Sequence, residues 1–190
     1  MLADSSADPG IVAADLIAQA EHDPEALPVL VTTDPVLAGR VRSELAVRLG
    51  GLPTADVARP ALQGGGVVLV ETMEEAISAC DAIAPEHLQL SVVDPGAVQS
   101  RLGNYGAIFV GEGSAEVFGD YGVGPNHVLP TGGTARFTGG LSVFTFLRVR
   151  TWLAASPTDE LLRDTAWLAR QEGLEGHARA AEERGQQASF

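Results

Sequence analysis

Short apolar runs alternate with longer amphipathic stretches through the first half of the chain. Four of the runs have the length and the β-branched content of strands, and they lie at 28–32, 65–70, 87–92 and 107–110. Three Asp-Pro pairs, at 8–9, 34–35 and 94–95, stand among them, and each of these places a capping carboxylate directly before a proline at the first helical position. Strands that alternate with helices in this way predict an α/β fold, in which helices cover the faces of a parallel sheet.

Several element boundaries are marked by short-range signals. Asp8-Pro9 begins the first helix, and the capping box at 72–75 begins a later helix that ends at Ala84, just before a proline. The run at 65–70 is apolar at every position, which is typical of a strand buried within a parallel sheet. Residues 1–4 lead directly into the first helix, so no strand is predicted before it.

The character of the chain changes after Gly111. Residues 111–141 are rich in glycine and form a long loop of the kind that is usually functional. From residue 142 the pattern is helical, with one helix capped at Ser156-Pro157 and a second one at about 174–184. We therefore predict an α/β domain at 1–141 and a C-terminal helical tail at 142–190.

Composition narrows the possible functions. The chain has 190 residues and a net charge of −13, and its arginines are scattered, so a polyanion such as nucleic acid would be repelled. Lysine is absent, which excludes Schiff-base chemistry and a Walker-type phosphate loop. No apolar run is long enough to cross a membrane, and the single Cys80 is expected to be a buried thiol in a cytoplasmic protein.

Two pairs of polar residues could carry chemistry. Gln19 and His22 stand three residues apart at the end of the first helix, so their side chains share one face. A glutamine carbonyl is an unusual zinc ligand, and spacing alone favours a surface pair. Glu86 and His87 are adjacent, and each could move a proton. Neighbouring residues on a strand point to opposite faces, so these two can serve one site only from a turn.

The loop at 119–131, with the sequence GDYGVGPNHVLPT, is the most informative stretch. Asp120 and His127 can coordinate or hydrogen-bond a ligand, and the glycines allow its close approach. The loop lacks the strand before it and the helix after it that a dinucleotide-binding fingerprint requires. Further along, Glu172 and His177 flank a break before the last helix, where a charged helix end is the simpler interpretation.

Together these segments resemble the histidinol dehydrogenases, the zinc enzymes that complete histidine biosynthesis. The motifs, in chain order, are QAEH at 19–22, PEHL at 85–88, GDY followed by GPNHVLPT at 119–131, and EGLEGH at 172–177. Four motifs in the order and spacing of one family are specific, and the likeness runs from Ala3 to about Arg184. The resemblance implies a Rossmann-like parallel sheet of the aldehyde-dehydrogenase type with a helical extension.

The resemblance also implies a role for individual residues. The zinc ligands of the family match Gln19, His22, Asp120 and His177. His87 matches the general base, and Glu86 matches the carboxylate that activates water in the second oxidation step. Glu172 matches a substrate-binding carboxylate. The other substrate-binding positions are Gln19, His22, His87, Asp120 and His177. His127 is assigned to the structure of the pocket, and no cofactor-binding residue is assigned.

The implied reaction is the NAD-dependent oxidation of L-histidinol to L-histidine through bound histidinaldehyde. The family is homodimeric, and its C-terminal tail reaches into the partner's site. Full-length members carry a long N-terminal half that holds most of the NAD contacts, so we expect this chain to be a fragment. Two alternatives remain open. One is a non-catalytic module that binds zinc or imidazole, or a subunit completed by a separate N-terminal half. The other is a zinc hydrolase that uses Glu86 on a metal-bound water, although no matched motif supplies an oxyanion site.

Overall fold

The computed structural model describes residues 1–187 and contains a sheet of five parallel strands. The strands are β1 (Leu2–Ala3), β2 (Val29–Thr32), β3 (Gly66–Leu69), β4 (His87–Ser91) and β5 (Ala107–Val110). Their order across the sheet is β3-β2-β1-β4-β5. The helices are α1 (Pro9–Ala20), α2 (Pro35–Leu49), α3 (Ala55–Gly64), α4 (Met73–Ile83), α5 (Pro95–Gln99), α6 (Val117–Asp120), α7 (Asp159–Gln171) and α8 (Glu175–Gln187). The predicted α/β fold is confirmed.

The two-residue strand β1 lies at the centre of the sheet, where the sequence predicted no strand. Leu2 pairs with Val31 on one side and with Leu90 on the other, and Ala3 continues both ladders. The prediction of a first helix without a preceding strand is therefore wrong. Two residues are too few to show an alternating pattern, and their strand conformation is fixed by partners that come much later in the chain.

Side chains of successive strand residues point to opposite faces, which gives the sheet two separate cores. Leu2 packs with Leu88 and Leu90 against α4 and α5, and Cys80 of α4 is buried there as predicted. Ala3 packs with Leu30 on the other face, against α1 and α2. Each fully buried leucine contributes roughly 1.5–3 kcal/mol to folding. Both faces of the central strands are therefore covered by helices.

Strand β3 lies at the edge of the sheet, and here the expectation of a fully buried strand is wrong. Val67 is 52% exposed and Leu69 is 54% exposed. The apolar run at 65–70 is typical of a strand with helices on both faces, but in the described residues β3 pairs on one side with β2 alone. The apolar composition of a strand indicates that it can be buried on both faces. Its actual burial depends on which elements pack against it.

The predicted helix caps are largely confirmed. Asp8 accepts hydrogen bonds from the backbone nitrogens of Gly10 and Ile11, and Thr72 and Glu75 form the capping box of α4. Helix α4 ends as expected, and Ala84 follows it with φ of 50°, in the left-handed region that non-glycine residues rarely occupy. This residue turns the chain sharply before β4 begins.

A second compact unit begins at Arg148, while residues 1–147 form the first. It contains α7 and α8, whose shared core consists of alanines: Ala166, Ala169, Ala178 and Ala181. The two predicted helices are present, but regular helical structure begins later than residue 142, because Val143–Phe146 form one 3₁₀ turn and α7 begins at Asp159. Its cap is Thr158, whose side chain accepts from the Leu161 nitrogen, and not Ser156. Among residues 1–187, no helix combines the length and apolar character of a membrane span.

Gly106 provides a test of how tightly β4 and β5 are joined. A Cβ atom at this position would lie 2.6 Å from the Glu86 carbonyl oxygen and 2.9 Å from Pro130 Cδ. We expect Gly106→Ala to lower the free energy of unfolding by about 1–3 kcal/mol, because backbone cannot yield as a side chain does. Urea denaturation measures the change.

The matched control is Gly39→Ala, since Gly39 lies within α2 and a Cβ atom there would meet nothing within 4 Å. This substitution should raise stability by roughly 0.5–1 kcal/mol, because alanine loses less backbone freedom in a helix than glycine does. Equal effects of the two substitutions would contradict the close packing at Gly106.

Candidate active site

The candidate site lies at the amino-terminal edge of the sheet. His87 is the first residue of β4, and Glu86 immediately precedes it. Gln19 is in the last turn of α1, which connects two parallel strands and so runs antiparallel to them. The end of α1 and the start of β4 therefore meet at the same edge, opposite to the edge where open parallel sheets usually bind ligands.

Glu86 and His87 can serve one site because Glu86 lies outside the strand. The left-handed Ala84 and the following Pro85 form a turn between α4 and β4. The turn is held against the start of β5, where the Gly106 nitrogen donates to Pro85 O at 2.9 Å. The Ala107 nitrogen donates to Glu86 O at 2.8 Å. The sequence left the facing of this pair open, and the turn resolves it.

The segment after β5 runs back along that strand and brings two carboxylates to the same edge. Gly119 packs on the Phe109 ring so closely that a Cβ atom would lie 3.1 Å from it. The same ring lies 6.0 Å, centroid to centroid, from the imidazole of His87. Glu116, at one end of this short helical turn, is thereby placed beside His87. Asp120, at the other end, raises the pKa of His87 against the larger lowering by burial.

Three side chains make direct polar contacts at the centre of the site. His87 Nδ1 lies 3.2 Å from Gln19 Oε1 and 3.4 Å from Glu116 Oε1. Gln19 Nε2 donates a hydrogen bond to the same Glu116 oxygen. The side chains of His87 and Glu116 are 18% and 8% exposed, so these contacts are largely withdrawn from water.

Burial and nearby charges shift the pKa values of the adjacent pair in opposite directions. Burial raises the pKa of Glu86, with His22 opposing the shift and Asp120 adding to it. Burial also lowers the pKa of His87, while Asp120 opposes that shift and His22 adds to it. The pair therefore combines a neutral imidazole with a carboxylate of increased basicity, and both groups respond to His22 and Asp120.

Glu116 was not identified from the sequence. Burial raises its pKa to about 7, the hydrogen bond from Gln19 opposes the shift, and the carboxylates of Asp120 and Asp15 add to it. One signal could have found it, because Glu116 stands four residues before Asp120 beside a glycine-rich loop. The spacing alone does not indicate burial, which depends on how the segment packs against β5.

The other predicted site residues are placed less closely. His22 is exposed, and His127 Nδ1 lies 3.4 Å from Asp120 Oδ1 with its ring 59% exposed. Glu172 and His177 belong to the second unit, at the end of α7 and on α8, and both are exposed. The first unit thus brings Gln19 into contact with His87, and it places His22 and Asp120 within electrostatic reach of His87.

The fit of this site to a metal ion is incomplete. An imidazole, a carboxylate and an amide oxygen, from His22, Asp120 and Gln19, are donors that zinc accepts. Within the described range 1–187, however, no three His, Cys, Asp or Glu side chains converge as metal ligands do. Of the four predicted zinc ligands, the first unit contains His22, Asp120 and the amide of Gln19.

The opposite edge of the sheet is rich in carboxylates. An acidic residue follows every strand within three positions, and these residues are Asp4, Asp34, Glu71, Asp94 and Glu112. The strand order reverses between β1 and β4, and Asp4 directly follows β1. Its carboxylate accepts hydrogen bonds from Val93 N, which follows β4, at 2.9 Å and from Ser6. A pyrophosphate would meet negative charge here instead of the glycine-rich helix start that usually binds it.

The fold and the site together define an α/β protein with dehydrogenase-like strand order and an acid–base site at its amino-terminal edge. A family profile described as histidinol dehydrogenase matches residues 1–185, and the chain belongs to this family. The family expected from the four motifs is confirmed, and so is an enzyme by resemblance.

Individual relatives agree with this family. The chain is 50% identical over 182 residues to a histidinol dehydrogenase of Thermus thermophilus, covering 95% of this chain and 44% of the relative. It is 42% identical over 188 residues to one of Thiocapsa roseopersicina, covering 97% and 81%. The crystal structure of histidinol dehydrogenase from Elizabethkingia anophelis superposes with a TM-score of 0.82 at 30% identity, covering all of this chain and 44% of that one. The chain thus spans less than half the length of most of these relatives.

The buried carboxyl of Glu116 predicts a measurable pH dependence of stability. Its pKa is about 7 in the folded chain and 4.5 when unperturbed, so folding favours the protonated form. Between these values the unfolded chain holds fewer protons, and stability must fall as the pH rises. Relative to Glu116→Gln, the wild-type chain should lose about 3 kcal/mol of unfolding free energy across this window, with no further loss above it.

Urea denaturation of the metal-free chain at several pH values between 4.5 and 8.5 measures the difference. Parallel stability curves for wild type and variant would show that Glu116 titrates normally and is accessible to water.

Proposed function

We propose that this chain acts in histidine biosynthesis, in the NAD-dependent oxidation of L-histidinol to L-histidine through histidinaldehyde. The observation that carries the proposal is the partly buried His87 imidazole, held by Gln19 and Glu116 and adjacent to Glu86. Oxidation of the alcohol needs a base for the hydroxyl proton, and oxidation of the aldehyde also needs a base that activates water. His87 and Glu86 provide these two groups at one edge of the sheet.

His87 is proposed to act as the base in both oxidation steps. Burial lowers its pKa, so the ring is neutral near pH 7 and can accept a proton from the substrate hydroxyl as hydride leaves for the nicotinamide. The exposed ring of His127, by contrast, lies at the margin of the site beside Asp120. It is assigned to the shape of the pocket.

Glu86 is proposed to act in the second step, when water adds to the aldehyde. Burial raises the pKa of Glu86, which makes its carboxylate a stronger base than an exposed glutamate. It directly precedes His87 in the turn before β4. Glu86 can therefore take a proton from the attacking water, and His87 can take the hydroxyl proton of the resulting hydrate.

Zinc is proposed on the resemblance, with Gln19, His22, Asp120 and His177 as ligands. In support, His22 and Asp120 both influence the pKa values of Glu86 and His87. A zinc ion bound there would supply a Lewis acid that orients the substrate. Glu172 is proposed to bind the substrate ammonium group, and the homodimer and cytoplasmic location expected from the sequence remain predictions.

A second candidate is a subunit or module that binds zinc or imidazole and receives its NAD contacts from a different polypeptide. The carboxylates that follow every strand favour it, because they leave the usual dinucleotide edge of this sheet negatively charged. The two candidates differ in whether the chain forms NADH by itself. Mixing it with the part of the Thermus thermophilus relative outside the matched region distinguishes them.

The stoichiometry of NADH separates the roles of Glu86 and His87. We expect His87→Ala to lower NADH formation from histidinol by roughly 10²–10⁴-fold, because the base that accepts the hydroxyl proton in both oxidation steps is lost. Glu86→Gln should instead yield one NADH per histidinol and accumulate the aldehyde, where the wild-type site yields two. Absorbance of NADH and trapping of the aldehyde measure both.

The control is Glu44→Gln, since Glu44 is exposed on α2 and pairs with Arg48 at the surface. It should behave as wild type. Two NADH per histidinol in Glu86→Gln would remove Glu86 from the second step. An active His87→Ala variant would remove the base assigned to both.

Zinc binding is tested without reference to activity. Calorimetric titration with zinc should show at least tenfold weaker binding by His22→Ala, because the loss of one imidazole removes a ligand. Glu44→Gln again serves as the surface control. Unchanged affinity in His22→Ala would contradict the proposed ligand set.

A further inference from the structure

Glu116 occupies the centre of the site without a role among the family motifs. Its side chain is 8% exposed, and its polar neighbours at hydrogen-bonding or ion-pair distance are Gln19 and His87. Burial of a carboxylate costs free energy unless hydrogen bonds or opposite charges replace the water it loses. The arrangement of these contacts determines what Glu116 does.

The hydrogen-bond inventory fixes the orientation of the Gln19 amide. At mildly alkaline pH the Glu116 carboxyl is ionised. An ionised carboxylate accepts hydrogen bonds and cannot donate one, so the Gln19 group facing Glu116 must be the NH₂. The carbonyl oxygen of the same amide then faces His87 Nδ1, at 3.2 Å. The amide oxygen keeps a second lone pair for another ligand.

This orientation in turn fixes the protonation of His87. Its Nδ1 faces two oxygens, Gln19 Oε1 and Glu116 Oε1, and both are acceptors. The ring hydrogen must therefore lie on Nδ1, which leaves the lone pair on Nε2. Nε2 is then the atom that can take a proton from a substrate.

We propose that Glu116 is a positioning residue that sets the tautomer of His87, both directly and by orienting the Gln19 amide. Without the carboxylate, the amide is free to turn its NH₂ toward Nδ1. The Nε2–H tautomer would then gain a partner, and the ring would lose the lone pair that the reaction needs. The kinetic part of this inference rests on the proposed function, whereas the tautomer itself does not.

The test is ¹⁵N NMR of the ring nitrogens of His87 in the whole chain, in mildly alkaline buffer. Wild type should show the Nδ1–H tautomer. Glu116→Met, which keeps the side-chain size and removes the acceptor, should shift the population toward Nε2–H. Glu116→Gln keeps an acceptor oxygen and should restore most of the wild-type signal.

Glu112→Met is the matched control. Glu112 lies in the same segment, but its carboxylate accepts from the Asp8 nitrogen at 2.7 Å and takes no part in the His87 contacts. This variant should keep the wild-type tautomer. If Glu116→Met fails to fold, Glu116→Asp withdraws the carboxylate by one methylene and should shift the tautomer in the same direction.

Kinetics provide the second readout, with the chain assayed in whichever assembly oxidises histidinol. Glu116→Met should lower kcat by about 100-fold with KM nearly unchanged, because the base is in the wrong tautomer while substrate contacts remain. An unchanged tautomer in Glu116→Met would overturn the inference whatever the activity. A shifted tautomer in a chain that never oxidises histidinol, alone or completed, would keep the positioning role and overturn the proposed function.

Discussion

The pairing of a two-residue central strand holds this structure together. Leu2 and Ala3 form ladders with β2 and β4 at the same time, and no other strand of the described sheet joins those two. Leu2 enters the core beneath α4 and α5, and Ala3 enters the core beneath α1 and α2. Because β1 leads into α1, the same pairing carries Gln19 to the edge where β4 begins.

Polar groups at the centre of the site are largely withdrawn from water, and His87 and Glu116 each have a polar contact there. His87 is neutral because burial lowers its pKa, and its Nδ1 faces the amide of Gln19. The hydrogen bond from Gln19 replaces part of the hydration that Glu116 loses on burial. A left-handed Ala84 and a tightly packed Gly106 hold the turn that presents Glu86 beside these groups. Backbone constraint and side-chain electrostatics therefore act on the same few residues.

The two edges of the sheet have opposite chemical character. At the amino-terminal edge, imidazoles and carboxylates are close enough to influence one another's pKa values. At the other edge, each strand is followed by an acidic residue, and Asp4 hydrogen-bonds across the point of strand reversal. A sheet with dehydrogenase-like strand order thus carries its acid–base groups where such sheets rarely bind ligands, and its usual ligand edge carries carboxylates.

The sequence by itself determined the class of fold, most of the helix caps and the family, and it predicted which residues are suited to chemistry. These depend on local signals: proline after a capping aspartate, alternation of apolar runs with helices, and four short motifs in order. The tertiary structure decided what depends on distant partners. It made Leu2–Ala3 a strand, left Val67 exposed at the edge of the sheet, and buried Glu116 against His87. Pairing and burial arise between segments far apart in the chain, so no local pattern specifies them.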